Sequence, residues 1–424
     1  MTDQQKILSR MRDMTREMMR GGPQTATAAI QEALQKVRAM QPPGAASHAN
    51  PPDSAGQVLR DINPPPAGKA ASAPGAAHFG PGADSSSGIS AGAAKVLADA
   101  KSFVPELLAK LGVAANGSAL GRMPVKTPAA PLPAGAKFDS GSFANAAGNR
   151  QYKLYVPAAY HGQALPLVVM LHGCTQDPDD FAAGTQMNAV AEAQQCLVLY
   201  PQQSQSANSS KCWNWFNAVD QARDSGEPSI IAGMTRDVAA RYNVDSKQIF
   251  VAGLSAGGAM AAIMGTIYPD LYAGVAVHSG LPYGAATDLP SALAAMRSGM
   301  AKPPAKAQQA GGGQRFKGIP VIVFHGDADH TVNMRNGEQV MAGAAPTGSA
   351  AGVRSREQGQ VPNGHAYTRT VQKDADGHAV AEHWLIHGFG HAWAGGSANG
   401  SYTDARGPDA SGEMMRFFYT QAGR

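Results

Sequence analysis

The most informative part of this sequence is Ile249-Phe250-Val251-Ala252-Gly253-Leu254-Ser255-Ala256-Gly257-Gly258. Its first four residues form a continuous apolar run, which is typical of a strand buried on both faces. The Gly-x-Ser-x-Gly pattern that follows predicts a tight turn with Ser255 at its tip, because glycine on either side lets neighbouring backbone approach closely. A helical pattern of small residues continues to Tyr268. The stretch therefore predicts a strand, a turn that presents a serine, and a helix.

The same five-residue pattern occurs a second time, at Gly88-Ile89-Ser90-Ala91-Gly92. No apolar run precedes this copy, and it lies in a segment rich in proline, glycine, alanine and serine. A motif of this kind has meaning only in its structural context. We therefore expect Ser255 to be a nucleophile and Ser90 to be a chance match.

Short apolar runs alternate with helical patterns from Phe138 onward. The apolar runs are Leu167 to Leu171, Leu197 to Tyr200, Ile249 to Ala252, Val275 to Val277, Val321 to Phe324 and Trp384 to Ile386. Tyr152, Leu154 and Val156 alternate with polar residues, as in an edge strand. The helical patterns are Asp180 to Gln194, Ser229 to Tyr242, Gly257 to Tyr268 and Gly412 to Thr420. This alternation predicts the α/β class, with a doubly wound, mostly parallel sheet in one domain over residues 137–424.

The residues before this domain have a different composition. Two short amphipathic patterns in residues 1–40 predict a helical hairpin, either a solvated element or a docking element with a basic face. Residues 41–136 read as a linker, since 37 of the 53 residues from Gln41 to Ala93 are Pro, Gly, Ala or Ser. A short helix is predicted near residues 95–111. We expect this N-terminal region to be largely disordered, with short helices.

The overall composition excludes some classes of partner. The 424 residues carry a formal net charge of only +4, which is too small to indicate a nucleic-acid surface. No run reaches the roughly 18 to 20 apolar residues of a transmembrane helix, and the first residues lack the apolar core of a secretory signal. Three cysteines are too few for a disulfide scaffold. We therefore expect a cytoplasmic protein, with an extracellular location as the alternative.

A serine nucleophile needs a histidine base and an acid that orients it. In a strand-turn-helix setting these follow in the order Ser, Asp or Glu, His. Asp329 and its rival Asp327 come after the run Val321 to Phe324, and Asp329 is the predicted acid. His391, in a glycine-rich loop, is the predicted base, with His387 as the alternative.

The spacing of His383, His387 and His391 resembles a metal site only if it is helical. Trp384-Leu385-Ile386 predicts a strand instead, so we expect no metal site there. Hydrolysis through an acyl-enzyme needs neither a metal nor an organic cofactor, and we expect neither.

A tetrahedral intermediate needs two donors for its oxyanion. We expect the backbone N–H of Ala256, directly after the serine, and that of Cys174, in a loop after an early strand. A backbone donor does not need a thiol, so Cys174 either pairs with Cys212 or is one of two unrelated buried thiols. Cys196 opens a buried run and is predicted to be a core residue.

Four aromatic residues are candidates for contact with an acyl group or a polymer. They are Trp213, Trp215, Phe216 and Trp393. Plain packing is the other explanation for such rings.

Taken together, these motifs resemble those of the poly(3-hydroxybutyrate) depolymerase esterases, a family that also holds feruloyl and acetylxylan esterases. The stretches that carry the resemblance are Leu171-His172-Gly173-Cys174-Thr175-Gln176, Asn214-Trp215-Phe216, Gly253 to Met260, Gly280-Leu281-Pro282-Tyr283-Gly284, His325-Gly326-Asp327-Ala328-Asp329 and Gly390-His391-Ala392-Trp393. The resemblance implies an α/β-hydrolase fold, the triad Ser255, Asp329 and His391, and Cys174 at the oxyanion hole. This chain departs from the family pattern at Ala285, where secreted relatives often have a cysteine. The departure fits an intracellular enzyme that acts on storage granules.

Three functions are compatible with these residues. The leading hypothesis is a serine esterase that hydrolyses short-chain hydroxyacyl esters such as poly(3-hydroxybutyrate), with the N-terminal region as a tether to the granule surface. A feruloyl or acetylxylan esterase would use the same triad. A granule-binding protein with an inactive hydrolase scaffold is the alternative from another class.

Overall fold

The structure is a computed structural model that describes residues 132–300, 319–345 and 351–422. The predicted hairpin of residues 1–40, the helix near residues 95–111, the linker up to residue 131 and Ser90 all lie outside the described residues. Within them, no helix is both long and apolar enough to cross a membrane.

The described residues form seven α-helices and twelve strands. The strands are β1 Lys137–Asn145, β2 Gly148–Val156, β3 Leu165–Leu171, β4 Leu197–Pro201, β5 Val244–Leu254, β6 Gly274–His278, β7 Val321–Gly326, β8 Ala351–Gln360, β9 Ala366–Asp374, β10 Ala379–Ile386, β11 Trp393–Ala394 and β12 Thr403–Asp404. The helices are α1 Pro178–Thr185, α2 Met187–Gln194, α3 Gly226–Arg241, α4 Ala256–Ile267, α5 Leu289–Ser298, α6 Arg335–Ala344 and α7 Ala410–Ala422.

Ten strands form one sheet in the order β1-β2-β4-β3-β5-β6-β7-β10-β9-β8. The six central strands, from β4 to β10, run parallel. An antiparallel pair closes each edge, β1 with β2 on one side and β9 with β8 on the other. The predicted α/β-hydrolase fold with a mostly parallel sheet is confirmed.

Helices cover both faces of the sheet, which explains why the central strands are continuously apolar. In β3, Leu167 and Val169 pack into a core beneath α3, α4, α5 and α6. Val168 and Met170 pack into the opposite core, beneath α1, α2 and α7. Alternate side chains along a strand point to opposite faces, so a strand covered twice needs apolar residues at every position.

The predicted apolar runs all lie in strands, but several elements differ from the prediction. The single helix expected over Asp180 to Gln194 is two helices, because Gln186 between them has the left-handed φ of 55°. The strand β2 lies second from the edge rather than at it, since β1 pairs along its outer side. The strands β8 and β9 and the helices α5 and α6 were not predicted, and in β8 and β9 the apolar residues are few and scattered.

Candidate active site

Ser255 lies at the turn between β5 and α4 with φ of 58° and ψ of −118°, a conformation that L-residues rarely adopt. Its N–H donates to the carbonyl oxygen of His278 over 2.9 Å, which holds the turn against β6. A Cβ on Gly257 would overlap the carbonyl oxygen of Leu171, at the end of β3. Glycine there lets the ends of β3 and β5 approach each other beside the serine. The strained backbone of Ser255 is of a kind that is commonly retained at functional turns.

Asp329 and His391 form a hydrogen-bonded pair. The distance from His391 Nδ1 to Asp329 Oδ2 is 2.8 Å, and Asp329 Oδ1 accepts the N–H groups of Thr331 and Val332. The Asp329 side chain is fully buried, whereas that of His391 is 13% exposed. Burial by itself raises the pKa of the Asp329 carboxyl, but the hydrogen bond and charge of His391 outweigh it, so the pKa is lowered. The pair thus holds an ionised carboxylate behind a partly exposed imidazole.

The rival residues Asp327 and His387 form a second, separate pair. His387 Nδ1 lies 2.8 Å from Asp327 Oδ2, and its Nε2 lies 2.9 Å from Thr368 Oγ1. Both ring nitrogens of His387 therefore have partners. His383 lies apart from both pairs, on β10, where burial lowers its pKa to about 3. The three histidines thus have three different environments.

His278 links the serine turn to the loop that carries His391, a role that sequence reasoning missed. Its carbonyl oxygen accepts from Ser255, while its Nε2 accepts the N–H of Ala394 over 3.0 Å. Its ring stacks on Trp393 with centroids 5.0 Å apart. Burial lowers the pKa of His278 well below its usual value, which keeps Nε2 an acceptor. The available signal was a histidine that ends the buried run Val275 to Val277.

Among the described residues, Ser255 Oγ makes no hydrogen bond to His391, although the shared partner His278 connects their segments. Such catalytic hydrogen bonds are often long before a substrate binds.

The backbone N–H groups of Cys174 and Ala256 donate to no acceptor in the described part of the chain. The loop of Cys174 lies against the serine, since a Cβ on Gly173 would stand 3.6 Å from Ser255 Cβ. Gln176 braces this loop, because its Oε1 accepts the N–H of Gly173 over 2.9 Å. Two unused donors are thus presented on segments that contact Ser255.

Cys174 and Cys212 form a disulfide bond, which resolves the alternatives left open by the sequence. Beside Cys212, buried Glu227 accepts the backbone N–H of Asn214 over 2.7 Å and forms an ion pair with Arg150 at 3.2 Å. The disulfide therefore ties the Cys174 loop to a segment that is itself anchored on α3. Cys196 is buried and unpaired, as predicted.

The four predicted aromatic contacts differ in exposure. Trp213 is 0% and Trp393 2% exposed, so packing, the other explanation, accounts for both. Trp215 is 6% exposed and packs edge-on against the half-buried Phe216.

Tyr402, which the sequence analysis did not single out, is an aromatic residue that remains exposed beside the candidate site. It is 43% exposed, and its OH lies 3.3 Å from Thr175 Oγ1 in the Cys174 loop. Its carbonyl oxygen accepts the N–H of Trp393, two residues after His391, over 2.7 Å. It therefore bridges the loops that flank the serine.

Part of this chain is similar to known esterases. Residues 150–353 match the family model described as Esterase PHB depolymerase. Poly(3-hydroxyalkanoate) depolymerase C of Paucimonas lemoignei is 34% identical over 254 residues, which cover 59% of this chain and 60% of the relative. Poly(3-hydroxybutyrate) depolymerase of Ralstonia pickettii is 29% identical over 56% of this chain and 50% of its own.

A probable acetylxylan esterase A of Aspergillus fumigatus is 33% identical over 28% of this chain and 31% of its own. The chain thus spans only about half to three fifths of the length of the two depolymerases. The Gly-Leu-Ser-Ala-Gly turn of Ser255 and the loop of Cys174 both fall inside the matched region. Over residues 150–353 the chain is therefore similar to the PHB depolymerase family of esterases.

Proposed function

We propose that this protein is a serine esterase that hydrolyses short-chain hydroxyacyl esters of the poly(3-hydroxybutyrate) type. The observation that carries the proposal is the buried Asp329–His391 pair, which His278 connects to the strained turn of Ser255. An ionised acid, a partly exposed imidazole and a serine at the tip of a strand-to-helix turn are the parts of a nucleophilic acyl-transfer site.

In the proposed mechanism, His391 Nε2 takes the proton of Ser255 Oγ as the oxygen attacks the ester carbonyl carbon. Negative charge develops on the carbonyl oxygen, where the N–H groups of Cys174 and Ala256 stabilise it. The C–O bond to the leaving alcohol then breaks, and His391 returns the proton to that alcohol. Water, deprotonated by His391, attacks the acyl-enzyme, and Ser255 leaves with its proton restored. Asp329 holds the Nδ1–H of His391 throughout and stabilises the imidazolium.

The relatives support the polyester class of substrate, because the two named depolymerases match over more than half of this chain. The shorter match to a probable acetylxylan esterase keeps acetyl or feruloyl esters of polysaccharides as the second candidate. The proposed chemistry is the same for both.

The test measures product release from amorphous poly(3-hydroxybutyrate) granules and from methyl ferulate. The chain supplies matched controls, because Asp327 and His387 form a second pair of the same type. We expect Ser255→Ala to abolish hydrolysis and Asp329→Asn to lower kcat by roughly 10⁴-fold, whereas Asp327→Asn retains most of the activity.

Likewise, His391→Gln should lower kcat strongly, whereas His387→Gln should retain most of the activity. Equal losses in the two aspartate variants would refute the assignment of the acid. Ferulate cleavage without granule hydrolysis would move the substrate to polysaccharide esters, and granule binding without any hydrolysis would favour the inactive scaffold.

The cytoplasmic location and the granule tether stay proposals, and the N-terminal region lies outside the described residues. The Cys174–Cys212 disulfide weighs towards the extracellular alternative, because disulfides persist mainly in oxidising compartments. Deleting residues 1–130 and measuring adsorption to granules tests the tether. Unchanged adsorption would eliminate it.

A further inference from the structure

A cavity of about 300 Å³, lined by both polar and apolar side chains, lies between helix α6 and the outer strands β8, β9 and β10. It is lined by residues other than the three proposed for the triad. Four of its polar side chains are nine-tenths or more buried, namely Thr368, Thr370, Gln372 and His383. A volume of this size lies at the small end of the range for small-molecule sites.

The register of the strands aligns the lining residues in rows. Arg356 pairs with Thr370 across β8 and β9, and Thr370 pairs with His383 across β9 and β10. In the next row Arg354 pairs with Gln372. Directly opposed side chains lie about 5 Å apart on the same face of a sheet. The exposed Arg356 therefore lies at the outer end of the row that leads inward to the buried imidazole of His383, and the exposed Arg354 lies at the outer end of the neighbouring row.

The two faces of these strands differ in how their charges are compensated. On the opposite face, Arg369 is paired with Glu357 and Glu382, and Arg416 with Glu382 and Glu413. On the cavity face, Arg354 and Arg356 form no ion pair within the described residues. The one acidic residue of the lining is Glu338, on the exposed side of α6. The cavity thus has an excess of positive charge.

His383 at the inner end has a buried Nε2 without a hydrogen-bond partner among the described residues. Burial and the charges of His325, Arg354 and Arg356 all disfavour its protonated form. A buried polar atom without a partner has a free-energy cost that a bound polar group can remove. A neutral imidazole can accept or donate one hydrogen bond, as the hydroxyl of Thr370 also can.

We propose that this cavity is a binding site for a small carboxylate or phosphate that also bears a hydroxyl group. Arg354 and Arg356 bind the oxyanion, since guanidinium groups match the geometry of both. Thr370 and His383 bind the hydroxyl at the inner end. The hydroxy-acid product expected under the proposed function has this chemistry, but binding at the cavity does not depend on that function.

The test measures binding of sodium 3-hydroxybutyrate, sodium butyrate and inorganic phosphate by calorimetry, at constant ionic strength in chloride. The full chain with Ser255→Ala is the reference protein, so loss of hydrolysis does not affect the readout. The variants are the double change Arg354→Gln/Arg356→Gln, the single change His383→Gln, and the control Lys373→Gln. Lys373 follows Gln372 on β9 and lines the cavity of the opposite face.

We expect saturable binding that weakens at least tenfold in the double arginine variant and is unchanged in Lys373→Gln. A preference for 3-hydroxybutyrate over butyrate that His383→Gln removes would support the inner hydroxyl contact. Phosphate binding equal to that of 3-hydroxybutyrate would assign the site to phosphate-bearing ligands of the same chemistry. Absence of saturable binding for all three probes, or equal binding by the double variant, would overturn the proposal.

Discussion

Removal of the Cys174–Cys212 disulfide should destabilise the protein by a magnitude that follows from the length of the loop it closes. The two cysteines are 38 residues apart in sequence. In the chain-entropy description, a cross-link over about 38 residues lowers the entropy of the unfolded chain by about 13 cal/mol/K, or about 4 kcal/mol at 25 °C. For a domain of this size that corresponds to a decrease in Tm of about 8 °C.

The Tm of the double variant Cys174→Ser/Cys212→Ser and of the wild type is measured by circular dichroism with and without dithiothreitol. We expect the reductant to lower the wild-type Tm to that of the variant and to leave the variant itself unchanged. The Cys174 loop keeps its contact with Gln176, so it should loosen rather than unfold, and kcat should fall more than thermal stability alone explains.

Thiol titration of the unfolded protein supplies an independent check. Without reductant only Cys196 should react, because the other two cysteines are joined. Three reactive thiols in freshly purified protein, or a reductant-sensitive Tm in the double variant, would show that the disulfide does not account for the change in Tm.

Three further predictions concern single side chains around the site. Burial lowers the pKa of His172 to about 4, so the unfolded chain takes up a proton below pH 6.5 that the folded protein does not. The free energy of unfolding should therefore fall by on the order of 3 kcal/mol between about pH 6.5 and pH 4. In His172→Gln, urea unfolding should depend less on pH, and a pH dependence equal to that of the wild type would contradict this prediction. His278→Phe leaves the buried N–H of Ala394 without its acceptor, which should lower the free energy of unfolding in urea by about 1–3 kcal/mol and also lower kcat. Wild-type values of both would argue against a role of His278 in connecting the loops of Ser255 and His391. If the exposed ring of Tyr402 contacts the polymer, Tyr402→Ala should raise KM for polymer and leave kcat for a small chromogenic ester unchanged. Tyr402→Phe loses only the contact with Thr175, so its KM for polymer should equal that of the wild type.

The central strands and the serine turn could be predicted from the sequence because their physical requirements are local. A strand covered on both faces needs apolar residues throughout, and the turn of Ser255 needs Gly257 because a Cβ there would overlap Leu171. These constraints act within a few residues of one another, so they leave patterns in the chain. The hairpin of β8 and β9 left no such pattern, because much of it is exposed and its register depends on β10.

Sequence alone determined the fold class, the place of Ser255 and a short set of candidate acids and bases. It ranked Asp329 over Asp327 and His391 over His387, but only tertiary structure sorted the four into two separate pairs. Pairing across some 60 residues depends on where two loops meet above the sheet, which no local periodicity encodes.

The same holds for the exposure of aromatic residues. Trp393 and Tyr402 lie nine positions apart, yet one is enclosed and the other is at the surface. Composition identifies a large ring but not the neighbours that cover it, since burial results from contacts between distant segments. Exposure of these rings therefore depends on the tertiary structure, whereas the local sequence is enough to predict which serine lies at the turn.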